Sequence, residues 1–154
     1  MLRAARKPSD ALGSHAPGRR HLPGDANPQF SRLVATLAGM RLWLVPGQDA
    51  VCTVESLSQR GGGGVGCGRT GQPGYATGHA PMGSVVVGPW RWRPHRRILF
   101  LVLPDGAGDV RLEKHGRLLR RLAIQRNGVI ARAYDATNVS WRAPDGTRRR
   151  MTIH

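Results

Sequence analysis

A chain of 154 residues is long enough to bury one core of ordinary size and short for two. Its 24 Lys and Arg against 9 Asp and Glu give a formal charge of +15, so the solvated surface is electropositive and its partners are to be sought among anions. No apolar run approaches the roughly 18 residues of a membrane-spanning helix, and Pro8, Pro17 and Pro23 break any secretory apolar stretch near the N-terminus.

The charge needs discounting before it is read as recognition. Lys7 and Lys114 are the sole lysines, and 21 Gly and 11 Pro accompany the arginines, a skew that GC-rich coding produces without selection for binding. Nonspecific attraction to polyanions at low salt follows in either case.

In chain order, residues 1–26 carry Arg, Pro, Gly and Ala without apolar periodicity, and they read as a flexible basic arm. Residues 27–154 read as a single β-rich domain. Asn27 as cap and Pro28 at the first helical position, followed by Phe30, Leu33, Val34 and Leu37, predict one short helix over about 28–38, closed by Gly39.

From Met40 onward short apolar or alternating runs are separated by turn signals, which predicts strands over 41–45, 51–55, 85–87, 98–103, 108–113, 118–124, 129–134, 138–141 and 148–153. Pro46-Gly47, Pro104-Asp105-Gly106, His115-Gly116, Asn127-Gly128 and Pro144-Asp145-Gly146 supply the turns. Connections this short favour antiparallel neighbours. The fold class expected is mainly β with one N-terminal helix (α+β), an antiparallel meander from about residue 97 forming a small sandwich or partly open barrel, with 98–103 its buried central strand. Alternation points Val139, Trp141, Met151 and Ile153 inward and leaves Arg111, Arg142, Arg148 and Arg150 on a solvated face.

The stretch GGVGCGRT, residues 63–70, matches a phosphate-binding loop with Arg69 in place of Lys. Such a loop works by leading into a helix N-terminus whose free amides hold the phosphates. Gly71, Pro73, Gly74, Gly78 and Pro81 follow instead, and no helix is expected there. The match is a coincidence of composition, and no nucleotide or other cofactor is expected.

Cys52 and Cys67 flank the same stretch, so VCTVESLSQRGGGGVGC reads as a strand, a flexible tip and a return. A disulfide is the first reading, and over a loop of about 15 residues it would stabilise the fold by roughly 3 kcal/mol. Free buried thiols are the second. A zinc site drawing on His79 and His95 is the third, although neither close ligand pair of such sites is present.

Catalytic residues are not found in the pattern. Asp49, Asp105 and Asp145 sit in turn signals where bonds to nearby backbone are their ordinary role, and His79 and His95 stand in no nucleophile motif. PWRWRPHRR, residues 89–97, interleaves Trp90 and Trp92 with Arg91, Arg93, Arg96 and Arg97, a combination suited to stacking and cation-π contacts. Its plainer reading is an edge segment whose tryptophans cap the core while its arginines face water. Together with Arg142, Arg148 and Arg150 it makes the candidate anionic-ligand surface.

The order of LRAARKPSDAL at 2–12, LWLVPGQDAVC at 42–52, GGGGVGC at 61–67, ILFLVLPDGAGDVRL at 98–112, QRNGVI at 125–130 and VSWRAPDGT at 139–147 resembles a small β-rich domain family of high-GC Gram-positive bacteria. Members usually follow an N-terminal membrane anchor or export signal, and the family has no assigned activity. The resemblance implies an extracytoplasmic or cell-surface setting and a Cys52–Cys67 disulfide. This chain begins near where the anchor would end, so an upstream export element, or a cytoplasmic location without one, is expected.

The function expected is a non-enzymatic extracytoplasmic interaction domain whose basic surface binds an anionic polymer, a membrane surface or a protein partner. A cytoplasmic nucleic-acid-binding module, with nonspecific contacts, is the first alternative and a hydrolytic enzyme with an unrecognised site the second.

Overall fold

A computed structural model describes residues 7–57, 62–69, 82–87 and 97–153. The chain is mainly β, as the turn spacing predicts, and its sheets are antiparallel and not closed into a barrel. The first sheet runs in sequence order through β1 (Arg32–Leu37), β2 (Met40–Pro46), β3 (Ala50–Ser56) and β4 (Gly63–Arg69). In the second, β6 (Arg97–Val102) lies between β5 (Met82–Val87) and β9 (Gly128–Arg132). The third has the order β11 (Arg148–Thr152), β10 (Asn138–Arg142), β7 (Gly108–Lys114), β8 (Arg117–Leu122).

The second sheet is the middle layer, which explains the unbroken apolar run at 98–103. Leu99, Leu101 and Leu103 pack with Val110, Leu112, Val139 and Trp141 of the third sheet. Phe100 and Val102 turn the other way, onto Val34, Met40, Leu42 and Leu44 of the first. A strand that must satisfy a sheet on each side cannot alternate with polar residues.

The same layering corrects the expected meander. β6 pairs with β5 and β9, while β7 pairs with β8 and β10, so the short links at 103–107 and 123–127 carry the chain between stacked sheets. A short connection enforces pairing only when both strands stay in one sheet.

The helix expected over 28–38 is not formed. Asn27 does cap a turn, its side chain accepting from the Gln29 N–H at 3.1 Å, but that turn is a single 3-10 turn, Pro28–Phe30, and β1 follows. Gly39 closes a hairpin: Leu37 faces Met40 across Ala38 and Gly39, whose φ angles are 48° and 83°. Positive φ at both central residues is the geometry of a two-residue hairpin turn, so the glycine signal was sound and the element it ended was a strand. Phe30 is 58% exposed, which removes it from the apolar stripe.

The basic arm is also not free over its described part. Residues 7–26 lie across the outer face of the first sheet, where Leu12, Ala16, Leu22 and Ala26 cover Trp43, Val45, Cys52 and Val54. Two 3-10 turns, Pro8–Asp10 and Arg19–His21, shape this layer. Periodicity detects helices and strands, and an irregular covering segment has no period to detect. Buried Asp10 fastens it: its carboxylate accepts from Lys7 N–H at 2.9 Å and from Arg126 Nη1 at 2.7 Å.

Gly63 of β4 and Gly18 of the covering segment let the two approach closely. A Cβ on Gly63 would stand 3.2 Å from Pro17, besides meeting the Glu55 carbonyl oxygen, and one on Gly18 would meet Val65 at 2.6 Å. GGVGCGR is therefore a strand under a covering segment, not a loop opening a helix.

Candidate anion-binding face

The exposed face of the third sheet collects the charge. In β7 the sequence GDVRLEK alternates, sending Val110 and Leu112 to the core and Asp109, Arg111 and Glu113 to the other side. Register sets Ser140 of β10 between Arg111 and Arg150, and Arg142 between Gly108 and Arg148.

Between those rungs β7 bulges, with Asp109 and Val110 together facing Trp141, and Asp109 takes φ 45°. A left-handed first residue bends a bulged strand and re-aims its side chain. Here the carboxylate turns into the arginines. It accepts from Arg111 Nε at 3.0 Å and Nη2 at 2.6 Å, accepts from Arg148 Nη2, and lies 3.8 Å from Arg121 Nε. The hydrogen bond from Arg111, reinforced by Arg148 and outweighing the opposing effect of burial, holds the Asp109 carboxyl down at about 2. The same contact raises the Arg111 guanidinium.

Glu113 is the second brace. Its side chain is 7% exposed, Oε1 accepts from Ser140 Oγ at 2.6 Å and Oε2 from Arg150 Nη2 at 2.8 Å. Ser140 is fully buried, which keeps the hydroxyl from a substrate and makes this pair structural. Arg148 Nη1 also reaches Ser140 Oγ at 3.3 Å.

Of the expected surface, Arg142, Arg148 and Arg150 are thus brought onto one face, all three exposed, with Arg148 and Arg150 oriented by carboxylates that the sequence reading passed over. The signal was available, because Asp109, Arg111 and Glu113 fall at alternate positions of one strand. Exposed Arg121 of β8, registered opposite Arg111, was also missed as a site residue. Trp90, Arg91, Trp92, Arg93 and Arg96 lie outside the described residues. Arg97 opens β6, half-buried, its carbonyl accepting from the Ala133 N–H at 2.9 Å.

A cleft of about 960 Å³ lies between the covering segment and β4, lined by His15, Arg19, Arg20, His21 and the Gly62–Gly64 backbone. Among the described residues no carboxylate lines it. Arg19 Nη1 donates to the Leu12 carbonyl at 2.9 Å, so this arginine serves the fold of the segment.

Cys52 and Cys67 face each other directly across β3 and β4, Cα–Cα 4.1 Å, with their sulphurs at bonding distance. That separation suits opposed residues on neighbouring antiparallel strands. The disulfide reading stands over free thiols and zinc. His79 and His95 lie outside the described residues, and among the described residues no three His, Cys, Asp or Glu side chains converge as a metal site.

No protein-family model, curated protein or solved structure matches the chain.

Proposed function

We propose that the chain is a non-enzymatic, extracytoplasmic interaction domain that holds anionic partners through the arginine face of its third sheet. One observation carries this reading: Asp109 and Glu113 brace a field in which Arg111, Arg121, Arg142, Arg148 and Arg150 outnumber them. Guanidinium groups already oriented by a carboxylate lose less freedom when they meet a phosphate or a second carboxylate. The face is open and lies on paired strands, a geometry that suits an extended polyanion.

Two further features support the extracytoplasmic setting. A cross-strand disulfide belongs to oxidising compartments, and the Cys52–Cys67 pair lies at bonding distance. The family resemblance points the same way. Attraction of this kind reads charge density and not polymer identity, so the ligand is defined by its chemistry, a chain of phosphates or carboxylates.

Arg121→Gln combined with Arg142→Gln tests the reading. The pair removes exposed charge while keeping the bonds from Arg111 and Arg148 to Asp109. Binding to soluble poly(glycerol phosphate) at low salt is expected to weaken several-fold, and affinity equal to that of the unmodified protein would count against the face as the binding surface.

A further inference from the structure

We infer that β8, together with the turn joining it to β7, is a docking edge for an anionic lipid bilayer. The inference rests on the reading of the third sheet as a basic interaction face and names the partner of its open edge.

Among the described residues β8 is an outer strand of its sheet, hydrogen-bonded to β7 on one side. Its sequence RLLRRL leaves Leu118 50% and Leu119 48% exposed, two adjacent leucines of the kind that ordinarily divide between core and water. The reason is local. Register shifts between Leu112 and Glu113, where Arg120 and Leu118 are the partners and Leu119 is the extra residue, so strict alternation is lost at this point.

Around the leucines stand Arg117, Arg120 and Arg121, and the turn adds Lys114 and His115, all exposed. Asp109 reaches Arg121 from 3.8 Å, and Arg120 spends one nitrogen on the Arg132 carbonyl at 3.0 Å, so both keep donors for other partners. His115 and Gly116 form a two-residue turn with φ 48° and 81°, which makes the tip narrow.

Charge selects the occupant. A second copy of β8 laid against this edge would set arginine against arginine, the device by which edge strands avoid pairing with themselves. An anionic bilayer answers both features at once. Its phosphates accept the guanidinium groups, and its interface accepts exposed leucines without requiring a shaped groove. Long arginine stems cover apolar surface while their heads stay at phosphate level.

The test is co-sedimentation with vesicles of phosphatidylglycerol and phosphatidylcholine, against vesicles of phosphatidylcholine alone, over a salt series. The expected result is binding to the anionic vesicles with a component that survives salt high enough to release soluble poly(glycerol phosphate). Leu118→Ser with Leu119→Ser is expected to reduce that component by on the order of tenfold, given the apolar area two half-exposed leucines can still bury, while leaving polymer binding unchanged. Leu119→Trp is the second variant, and its emission is expected to shift to the blue on adding anionic vesicles, beyond any shift of the unmodified protein. Equal vesicle binding by the double serine variant, together with no blue shift in the tryptophan variant, would overturn the docking edge and leave the polyanion face standing. Full displacement from vesicles by excess poly(glycerol phosphate) at high salt would overturn it too, in favour of a soluble polymer. Loss of binding to both vesicles and polymer at low salt would instead overturn the underlying reading.

Discussion

Replacing Leu12 by Ala separates a packed covering layer from a free arm. Leu12 is 3% exposed, lies against Trp43, Val45, Cys52 and Val54, and its N–H donates to buried Ser31 Oγ at 2.7 Å. Truncating a buried leucine to alanine costs about 2–5 kcal/mol, depending on how far the surroundings collapse into the cavity. The covering segment is irregular and can settle, so the lower part of that range, roughly 2–3 kcal/mol, is expected. For a chain of 154 residues that corresponds to a fall in Tm of roughly 4–12 °C. Thermal and urea unfolding of the variant measure it, with Phe30→Ala as the exposed control, expected within about 0.5 kcal/mol of the parent. If Leu12→Ala matched that control, the fourth layer would be refuted and the segment would be an arm after all.

Cys52→Ala with Cys67→Ala is expected to cost about 3 kcal/mol for a loop of this length, and reductant should lower the melting temperature of the parent while leaving the double variant unmoved. Acid unfolding should follow Asp109 and Asp145, both held at about 2 below an ordinary 3.8, the first by Arg111 and the second by the Thr147 hydroxyl and N–H. A lowered carboxyl stabilises the fold fully above its unfolded value, so that contribution is present above about pH 4 and lost between pH 4 and 2. Asp109→Asn is expected to flatten this limb in pH-resolved melts. Gly128→Ala should cost roughly 1–3 kcal/mol by overpacking, because its Cβ would stand 2.7 Å from the Val34 carbonyl oxygen, whereas Gly13→Ala meets nothing within 4 Å and should be neutral.

Strands and hairpins were legible because period-two alternation and positive-φ glycines are local signals. The run at 98–103 announced its two-sided burial by another local sign, an apolar sequence with no alternation. What was not legible was which strands share a sheet: 103–107 looks like any hairpin turn, and only stacking of β7 over β6 makes it a corner. Gly128 shows a related limit. The positive φ angles of the turn belong to Arg126 and Asn127, at 46° and 68°, and the glycine is required where β9 passes close to β1. Gln125 completes that junction by pairing its side-chain amide with the Thr36 N–H at 3.0 Å and carbonyl at 3.1 Å, a contact across 89 positions with no sequence signature. At the candidate face the arginines were read by alternation, but their carboxylate partners were passed over. A charge count treats Asp109 and Glu113 as a small deduction from the total, while their positions make them the residues that orient the rest.

The most direct measurement is the salt dependence of polyanion binding by the unmodified protein and by Arg121→Gln/Arg142→Gln, with poly(glycerol phosphate), duplex DNA and single-stranded DNA as ligands. On duplex DNA each neutralised phosphate contributes about 0.9 to the slope of log affinity against log salt, so losing two contacting arginines should flatten that slope by up to about 1.8. The account predicts similar affinities for the three polymers at matched charge density, steep loss with salt, and the flatter slope in the variant. A slope unchanged by the variant, or tight binding to one nucleic-acid sequence that survives physiological salt, would contradict it.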